Sequence, residues 1–355
     1  MSLPPRPAGA GIQLSFDVDL RPRNTLRVLA RAPLLLEVDD AGALPAALAD
    51  ARVRGRPLLV LGGGSNLLFA GDPDGVLLSL RTRGIAVVDE VDHGRTAIVH
   101  VDAGVDWHGC VAWTLAQGLC GLENLALIPG TVGASPIQNI GAYGVELDQR
   151  VHAVHAWDQE RGALRHLGRD ACGFAYRDSR FKREPTRWIV TAVEFALSRT
   201  PRLALHYVGL ADELVAHGVE TPTASDVAAA VCRIRRRKLP DPAVIANAGS
   251  FFKNPVVDRA RAEALLAAAP VMPLFPADRD ASCKLSAAWL IDACGWKGHR
   301  DGDAGVSPGH ALVLVNHGDA SGAELLALAR HIAASVQARF GVALEPEPRI
   351  VGAHW

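Results

Sequence analysis

Apolar residues in this chain fall into short runs separated by glycine and proline, and a helical period appears in a few longer stretches. Residues 28–36 are apolar with interruptions and predict a strand after a loop. Residues 43–54, rich in alanine and leucine, predict a helix with Pro45 in its first turn, where a missing N–H is tolerated. Residues 57–61 form a short apolar run bounded by proline and glycine, which predicts a buried strand. It empties into Gly62-Gly63-Gly64-Ser65-Asn66, and a Pro-Asp-Gly turn then leads to another apolar run, so the order is strand, loop, strand. Residues 85–101 alternate loosely, as strands do. Asp106 can cap a helix over 107–117 that Gly118 stops. Residues 151–157 and 163–167 flank a polar, glycine-ended connection and predict a hairpin, and 188–197 predict a further strand. Val227, Val231 and Ile234 share one face of a helix over 223–238, which Pro240 ends. Residues 284–294 predict a helix, 296–305 a glycine-rich loop and 311–316 a strand. Ser321 and Glu324 make a capping box for an amphipathic helix through Leu325, Leu328, Ile332, Val336 and Phe340, closed by Gly341. The first 20 residues read as a disordered lead-in.

Composition narrows the classes. At 355 residues and 49% hydrophobic, the chain is too long for one ordinary core, so two or three domains are expected. A formal net charge of −1 gives no nucleic-acid footprint. No run of about 18 apolar residues is present, so no membrane span is expected. The N-terminus lacks the apolar core of a signal peptide. The six cysteines are scattered, with no CxxC pair, which fits reduced thiols and a cytoplasmic location. The 13 histidines include no HExxH and no cluster of ligand spacing, so no metal site is expected.

Three stretches carry candidate chemistry. Residues 121–147 hold five glycines, two prolines and no lysine or arginine. Glycine lets backbone approach a ligand closely, and the N–H groups so exposed can face a flat or anionic one. At the glycine run, Gly62 and Gly64 fit the first two positions of a dinucleotide fingerprint, but Leu67 stands at the third and no helix follows. No GK[ST] follows either, so the loop is not a P-loop; read alone it is either a tight structural turn or a phosphate loop that binds through bare N–H groups and the Ser65 and Asn66 side chains. In 246–255 one serine sits among small residues ahead of two aromatics, without the GxSxG of a hydrolase elbow. The cations of 174–182 and the Arg235, Arg236 and Arg237 run read alone as solvated charge, the latter complementing a helix C-terminus.

Together these segments resemble the UDP-N-acetylenolpyruvoylglucosamine reductase family. The matches are Asn24-Thr25, GGGSN at 62–66, IPGTVGASPIQNIGAYG at 128–144, YRDSRFK at 176–182, KLPDP at 238–242, NAGSFFKNP at 247–255 and PEPR at 346–349. They occur in the family's order over nearly the whole chain. Leu26 departs from the family's usual phenylalanine, and Tyr207 resembles the tyrosine-bearing substrate loop of the longer subtype. The resemblance implies an α+β protein of three domains. Residues 1–72 with 348–355, and 73–238, would form a vanillyl-alcohol-oxidase-like FAD-binding unit, and 239–347 would bind substrate. It implies non-covalent FAD, NADPH as hydride donor, UDP-N-acetylglucosamine-enolpyruvate as substrate, and a monomer. Gly62, Gly63, Gly64, Ser65, Asn66, Gly130, Thr131, Ser135, Gln138, Asn139 and Gly141 would hold FAD. Tyr176, Tyr207, Lys238 and Asn254 would bind substrate. Arg177, Ser250 and Glu347 would be catalytic.

Those three side chains suit the reaction. Hydride delivery to an enolpyruvyl double bond leaves an enolate, and a positioned donor is typically worth roughly 3–4 kcal/mol there. A guanidinium at Arg177 pairs bidentately with the carboxylate end and stays charged. A bare carboxylate would repel an enolate, so Glu347 is expected to carry a proton held by burial. Ser250 would protonate the enolate carbon. A flavin oxidase of the same fold class is the alternative. Its members often tether FAD through histidine, and no histidine lies in or beside GGGSN. A nucleotide-binding module without chemistry would not need Arg177, Ser250 and Glu347.

Overall fold

The computed structural model describes residues 11–277 and 281–355. The chain is α+β and divides into two compact units. The first comprises residues up to Val18, Ala32–Gly63 and Asp74–Arg235. The second comprises Asp19–Arg31, Gly64–Pro73 and Arg236–Trp355.

Among the described residues the first unit contains two larger sheets and a two-stranded ribbon of Gly141–Ala142 with Val145–Glu146. In one, strands Ile12–Asp19, Arg31–Val38, Val76–Leu80 and Leu58–Val60 lie in that order, the last three parallel. The second is antiparallel, in the order Ala163–Gly168, Val151–Asp158, Trp188–Ser198, Thr96–Asp102, Ile85–Val91. Side chains alternate across a strand. One face of the second sheet therefore sends Val99, Val101, Val154, Val193 and Phe195 into a core with Trp107 and Val111 of helix Trp107–Ala116 and with Val227, Val231 and Ile234 of helix Ala224–Lys238. Trp107 meets Phe195 edge to face at 5.9 Å and donates its Nε1–H to the Leu125 carbonyl at 2.8 Å.

In the second unit, strands Ala246–Ser250, Val313–Asn316, Ala304–Val306 and Arg300–Asp301 form one sheet, and Val256–Asp258, Ser282–Leu285 and Leu274–Pro276 another. Leu67–Phe69 pairs in parallel with Arg349–Val351. The Gly322–Phe340 helix opens with the full Ser321/Glu324 capping box and ends at Gly341 in the left-handed region, as its sequence predicts. Among the described residues no helix is long and apolar enough to cross a membrane.

Four expectations need correction. The first ten residues of the predicted lead-in lie outside the described residues, but 12–19 form an edge strand whose Ile12 and Leu14 pack on the parallel-sheet core. The helix predicted over 43–54 is only Leu44–Ala49, because Asp50 turns out of the helix and its carboxylate accepts from the Arg52 N–H at 2.8 Å. Such local side-chain bonds compete with helix continuation. The helix predicted over 284–294 begins at Ala287. Lys284 instead pairs with Val256 in a strand, and Ser286 caps the helix by accepting from Trp289 N–H. The loop predicted over 296–305 contains a hairpin, Arg300–Asp301 against Ala304–Val306.

Candidate active site

In the first unit the glycine-rich stretch is pinned where the Thr96–Asp102 strand meets the Trp107–Ala116 helix. Gly133 N–H donates to the Ala103 carbonyl and Val132 N–H to Val105, both at 2.9 Å, and Trp107 N–H donates to Gly130 at 3.0 Å. Gly130 sits at φ +126°, which excludes ordinary side chains. Its backbone meets the other glycine run. A Cβ on Gly63 would lie 2.8 Å from Gly130 Cα, and one on Gly62 would lie 2.8 Å from Thr131 Oγ1. Among the described residues, the N–H groups of Gly62, Gly63, Gly130 and Thr131 have no protein acceptor. Gly62 and Gly63 are exposed and Gly130 and Thr131 half-buried. Clustered donors on bare backbone are a fit for an anionic diphosphate.

Further along, the stretch builds itself before it can touch a ligand. Ser135 is buried and donates its hydroxyl to the Val132 carbonyl at 2.7 Å. Gln138 is half-buried. Asn139 is 1% exposed at φ +46°. Its amide donates to Glu146 Oε2 at 3.1 Å and to the Ala175 carbonyl at 3.2 Å, and its Oδ1 accepts from Asp148 N–H at 3.0 Å. Both side chains are committed to the shape of the loop.

Arg177 does not behave as solvated surface charge. It occupies a tight Ala175–Asp178 turn at φ +53° and lays its guanidinium on the cradle backbone. Nη2 donates to the Gly141 carbonyl at 2.7 Å and Nη1 reaches the Asn139 carbonyl at 3.5 Å. Its backbone carbonyl accepts from Lys182 Nζ at 3.1 Å, and buried Ser179 donates to the Ile137 carbonyl at 2.6 Å. The Tyr176 ring lies 5.2 Å from the Arg177 guanidinium carbon. Tyr207, 38% exposed, meets buried Tyr143 edge to face at 4.8 Å, so its segment also lies on the cradle. Sequence reasoning missed Arg235. Burial holds its pKa below the usual arginine value, against the pull of Tyr143 and Cys232. The signal available was its place one residue after Ile234 on the apolar side of the helix. A separate polar cavity of about 340 Å³, lined by Arg95, Gly121, Arg150 and Arg202 among others, includes none of the predicted site residues.

In the second unit a chain of backbone contacts gathers the remaining candidates. Gly64 is at φ +62°, and a Cβ there would lie 2.0 Å from the Arg23 carbonyl, so glycine is required. Its carbonyl accepts from Thr25 N–H at 3.1 Å, and the Thr25 carbonyl accepts from Asn247 N–H at 2.9 Å. Buried Asn24 holds this loop by three bonds to the Leu20 and Val28 backbone. Thr25 Oγ1 is buried without a partner among the described residues. Ser65 is half-buried. Asn66 accepts on its carbonyl from Arg349 N–H at 3.1 Å, and its Nδ2 approaches the Glu347 carbonyl at 3.4 Å. Glu347 N–H in turn donates to the Phe251 carbonyl at 2.8 Å. A register shift between Asn247 and Ser250, with Gly249 at φ +68°, re-aims the strand end at Ser250. Ser250 and Glu347, far apart in sequence, therefore flank one backbone contact, and both are half-buried.

Asn254 Oδ1 accepts from the Ala287 N–H, the first of the Ala287–Ala293 helix, at 3.0 Å. Exposed Lys238 acts with Lys297 on His310, whose pKa is lowered first by burial and then by these two cations. His310 Nδ1 accepts from Leu312 N–H at 3.3 Å. His310 and Lys297 had no motif to single them out. Of the predicted residues, Gly62, Gly63, Gly130, Thr131, Ser135, Gln138, Asn139, Gly141, Tyr176, Arg177 and Tyr207 fall in the first unit. Gly64, Ser65, Asn66, Lys238, Ser250, Asn254 and Glu347 fall in the second.

Comparison with known proteins bears on what these residues serve. Residues 32–168 match the model of an FAD binding domain, and 241–351 match that of the UDP-N-acetylenolpyruvoylglucosamine reductase C-terminal domain. The chain is 55% identical over 343 residues to the UDP-N-acetylenolpyruvoylglucosamine reductase of Xylella fastidiosa (strain M12), covering 96% of this chain and 97% of that protein. It is 54% identical over 345 residues to that of Xanthomonas oryzae pv. oryzae (strain PXO99A), covering 97% and 98%. The crystal structure of the Thermus caldophilus reductase superposes with a TM-score of 0.66 at 26% identity, covering 96% of this chain and 98% of that one. With identity of this level sustained from end to end, the chain belongs to the UDP-N-acetylenolpyruvoylglucosamine reductase family.

Proposed function

We propose that this chain reduces the enolpyruvyl group of UDP-N-acetylglucosamine-enolpyruvate to give UDP-N-acetylmuramate, with NADPH as the reductant and non-covalent FAD as the cofactor, in peptidoglycan precursor synthesis. The observation that carries the assignment of residues is the Glu347–Phe251 backbone contact, which sets Glu347 beside the strand end bearing Ser250. A flavin oxidase has no need of a proton donor and a second carboxyl at one place.

The free N–H groups of Gly62, Gly63, Gly130 and Thr131 would hold the FAD diphosphate. FAD, when bound, supplies the relay that carries a hydride from NADPH to the substrate carbon. The protein's own groups do the rest. Arg177, its guanidinium oriented by the Gly141 carbonyl, binds the substrate carboxylate and stabilises the negative charge that builds there as the double bond is reduced. Glu347 contributes at the same end with a proton on its carboxyl. Ser250 delivers its hydroxyl proton to the enolate carbon and is reprotonated from solvent. One hydride and one proton are added, and no group leaves. Tyr176, Tyr207, Lys238 and Asn254 bind the sugar nucleotide. Asn254 does so through its amide, since its Oδ1 already serves a helix N–H. The division into 1–72 with 348–355, 73–238 and 239–347, the action as a monomer and the cytoplasmic location belong to the same proposal.

The test is an isotope experiment. Run with NADPH in D2O, the product should carry deuterium on the side-chain carbon that Ser250 protonates, and also on its neighbour, because hydrogen relayed through a flavin N–H exchanges with water. One NADPH should be consumed per product formed. A product with no solvent deuterium on the protonated carbon, or turnover without NADPH consumption, would overturn the assignment.

A further inference from the structure

The outer face of the antiparallel sheet carries a cluster that takes no part in the reductase chemistry. Val99 and Val101, Val193 and Phe195, and Val154 and Ala156 face the core. Alternation then turns His100, Glu194 and His155 to the opposite face. Register brings them together, since His100 lies directly across from Glu194, and His155 directly across from His166. His155 Nε2 lies 2.9 Å and His100 Nδ1 3.6 Å from Glu194 Oε1, and His166 Nε2 lies 3.2 Å from Oε2. The His155 ring meets those of His100 and His166 edge to face at 5.1 and 4.8 Å.

We propose that His100 Nδ1, His155 Nε2 and Glu194 Oε1 form a binding site for a divalent transition-metal ion, Zn²⁺ foremost, with His166 Nε2 as the fourth ligand. One ligand atom from each of His100, His155 and Glu194 lies within 4.8 Å of the other two. A tetrahedral Zn²⁺ with bonds of about 2.0–2.1 Å needs its ligand atoms roughly 3.3–3.5 Å apart. The strand register fixes the four backbones side by side, so that binding the ion would require side-chain rotation alone. Three imidazoles with one carboxylate favour zinc, copper or nickel over magnesium or calcium. The surroundings support ligation through Nδ1 of His100. Its other nitrogen, Nε2, lies 3.5 Å from Asp102 Oδ1, and Asp102 is itself held through Oδ2 by Gly84 N–H at 2.7 Å. A carboxylate on the far nitrogen fixes the tautomer that points a lone pair at a metal. The ion would tie four adjacent strands together, so its effect falls on stability and leaves the reductase rate unchanged.

The competing arrangement is a histidine–glutamate hydrogen-bond network that takes no metal. Equilibrium dialysis separates the two, using the tag-free, FAD-loaded full chain, chelator-treated and then exposed to micromolar Zn²⁺ with excess Mg²⁺. About one equivalent of zinc should be retained, with a raised melting temperature. His100→Ala and His155→Ala should abolish retention, and Asp102→Asn, which touches no proposed ligand atom, should weaken it roughly 10–100-fold. Co²⁺ in place of Zn²⁺ should give visible d–d bands without thiolate charge transfer, which excludes the six cysteines. No uptake by the parent protein, or equal uptake by the folded His100→Ala and His155→Ala variants, overturns the proposal.

Discussion

Replacing Asn139 tests how the cradle is built. The side chain is 1% exposed and makes three hydrogen bonds, two donated and one accepted. Each is worth about 1 kcal/mol net, so Asn139→Ala forfeits about 3 kcal/mol. The residue also sits at φ +46°, where asparagine is tolerated and a plain Cβ costs roughly 1–2 kcal/mol more. The expected total for alanine is about 4–5 kcal/mol, and Asn139→Gly, which escapes the backbone cost, should lose about 3 kcal/mol. Asn139→Asp should be the most damaging. It keeps the acceptor for Asp148 N–H but sets a carboxylate oxygen against Glu146 Oε2 and the Ala175 carbonyl, where an N–H₂ stood at 3.1 and 3.2 Å. Urea unfolding followed by circular dichroism reads the order directly, and m-values should match the parent if the same surface is exposed. Flavin retention on gel filtration should fall in the same order, because the Asn139 carbonyl also receives Arg177 Nη1. An alanine variant within about 1 kcal/mol of the parent, or an aspartate variant more stable than alanine, would refute the reasoning.

Three other outcomes follow from named contacts. Arg177→Met should leave NADPH-driven flavin bleaching intact while kcat on the enolpyruvyl substrate falls about 10²–10³-fold, and Arg177→Lys should rescue little, since a single ammonium cannot reproduce the fork; loss of bleaching as well would contradict the role. Ser250→Ala should slow reoxidation by substrate about 10²–10⁴-fold with NADPH reduction unchanged, and an unaltered rate removes it as proton donor. Asp158 is 1% exposed, and the Arg187 guanidinium at 2.9 and 3.2 Å holds its carboxyl below the usual carboxylate range. Because that pKa is lowered on folding, its stabilisation is present above the ordinary carboxylate pKa and is lost as pH falls through the lowered one. Asp158→Asn should therefore be less stable at neutral pH, with a flatter decline of melting temperature in acid. Parallel curves for parent and variant count against the pairing.

Much of this was legible in the chain because local rules sufficed. The capping box, the Asp106 cap, the Asp158–Gly162 hairpin and the strand–loop–strand at Gly62 each depend on residues a few positions apart, and each formed as its residues imply. Where the reading failed, a local signal was overlooked or overridden. Ile12 to Asp19 alternates apolar and polar with period two, a strand signal that the reading of the first 20 residues as a lead-in passed over. Lys284 has good helix propensity, but pairing with Val256 claimed it for a strand. The site residues showed the same divide. Glycines were recognisable as backbone that must approach something. The hydrogen bond of Asn139 to Ala175, 36 residues on, and the gathering of Ser250 with Glu347, about 100 residues apart, depend on distant partners that no window of sequence reveals. The His100, His155 and Glu194 cluster was invisible for the same reason, since only sheet register joins its members.

The central claim is tested most directly by anaerobic absorbance spectroscopy on the purified FAD-loaded protein. NADPH is added until the flavin bands bleach, and UDP-N-acetylglucosamine-enolpyruvate follows with oxygen still excluded. Rapid return of the oxidised spectrum on that addition alone is the predicted result. Recovery only on admitting oxygen would make the protein an oxidase, and failure to acquire a flavin spectrum from added FAD would contradict the account altogether.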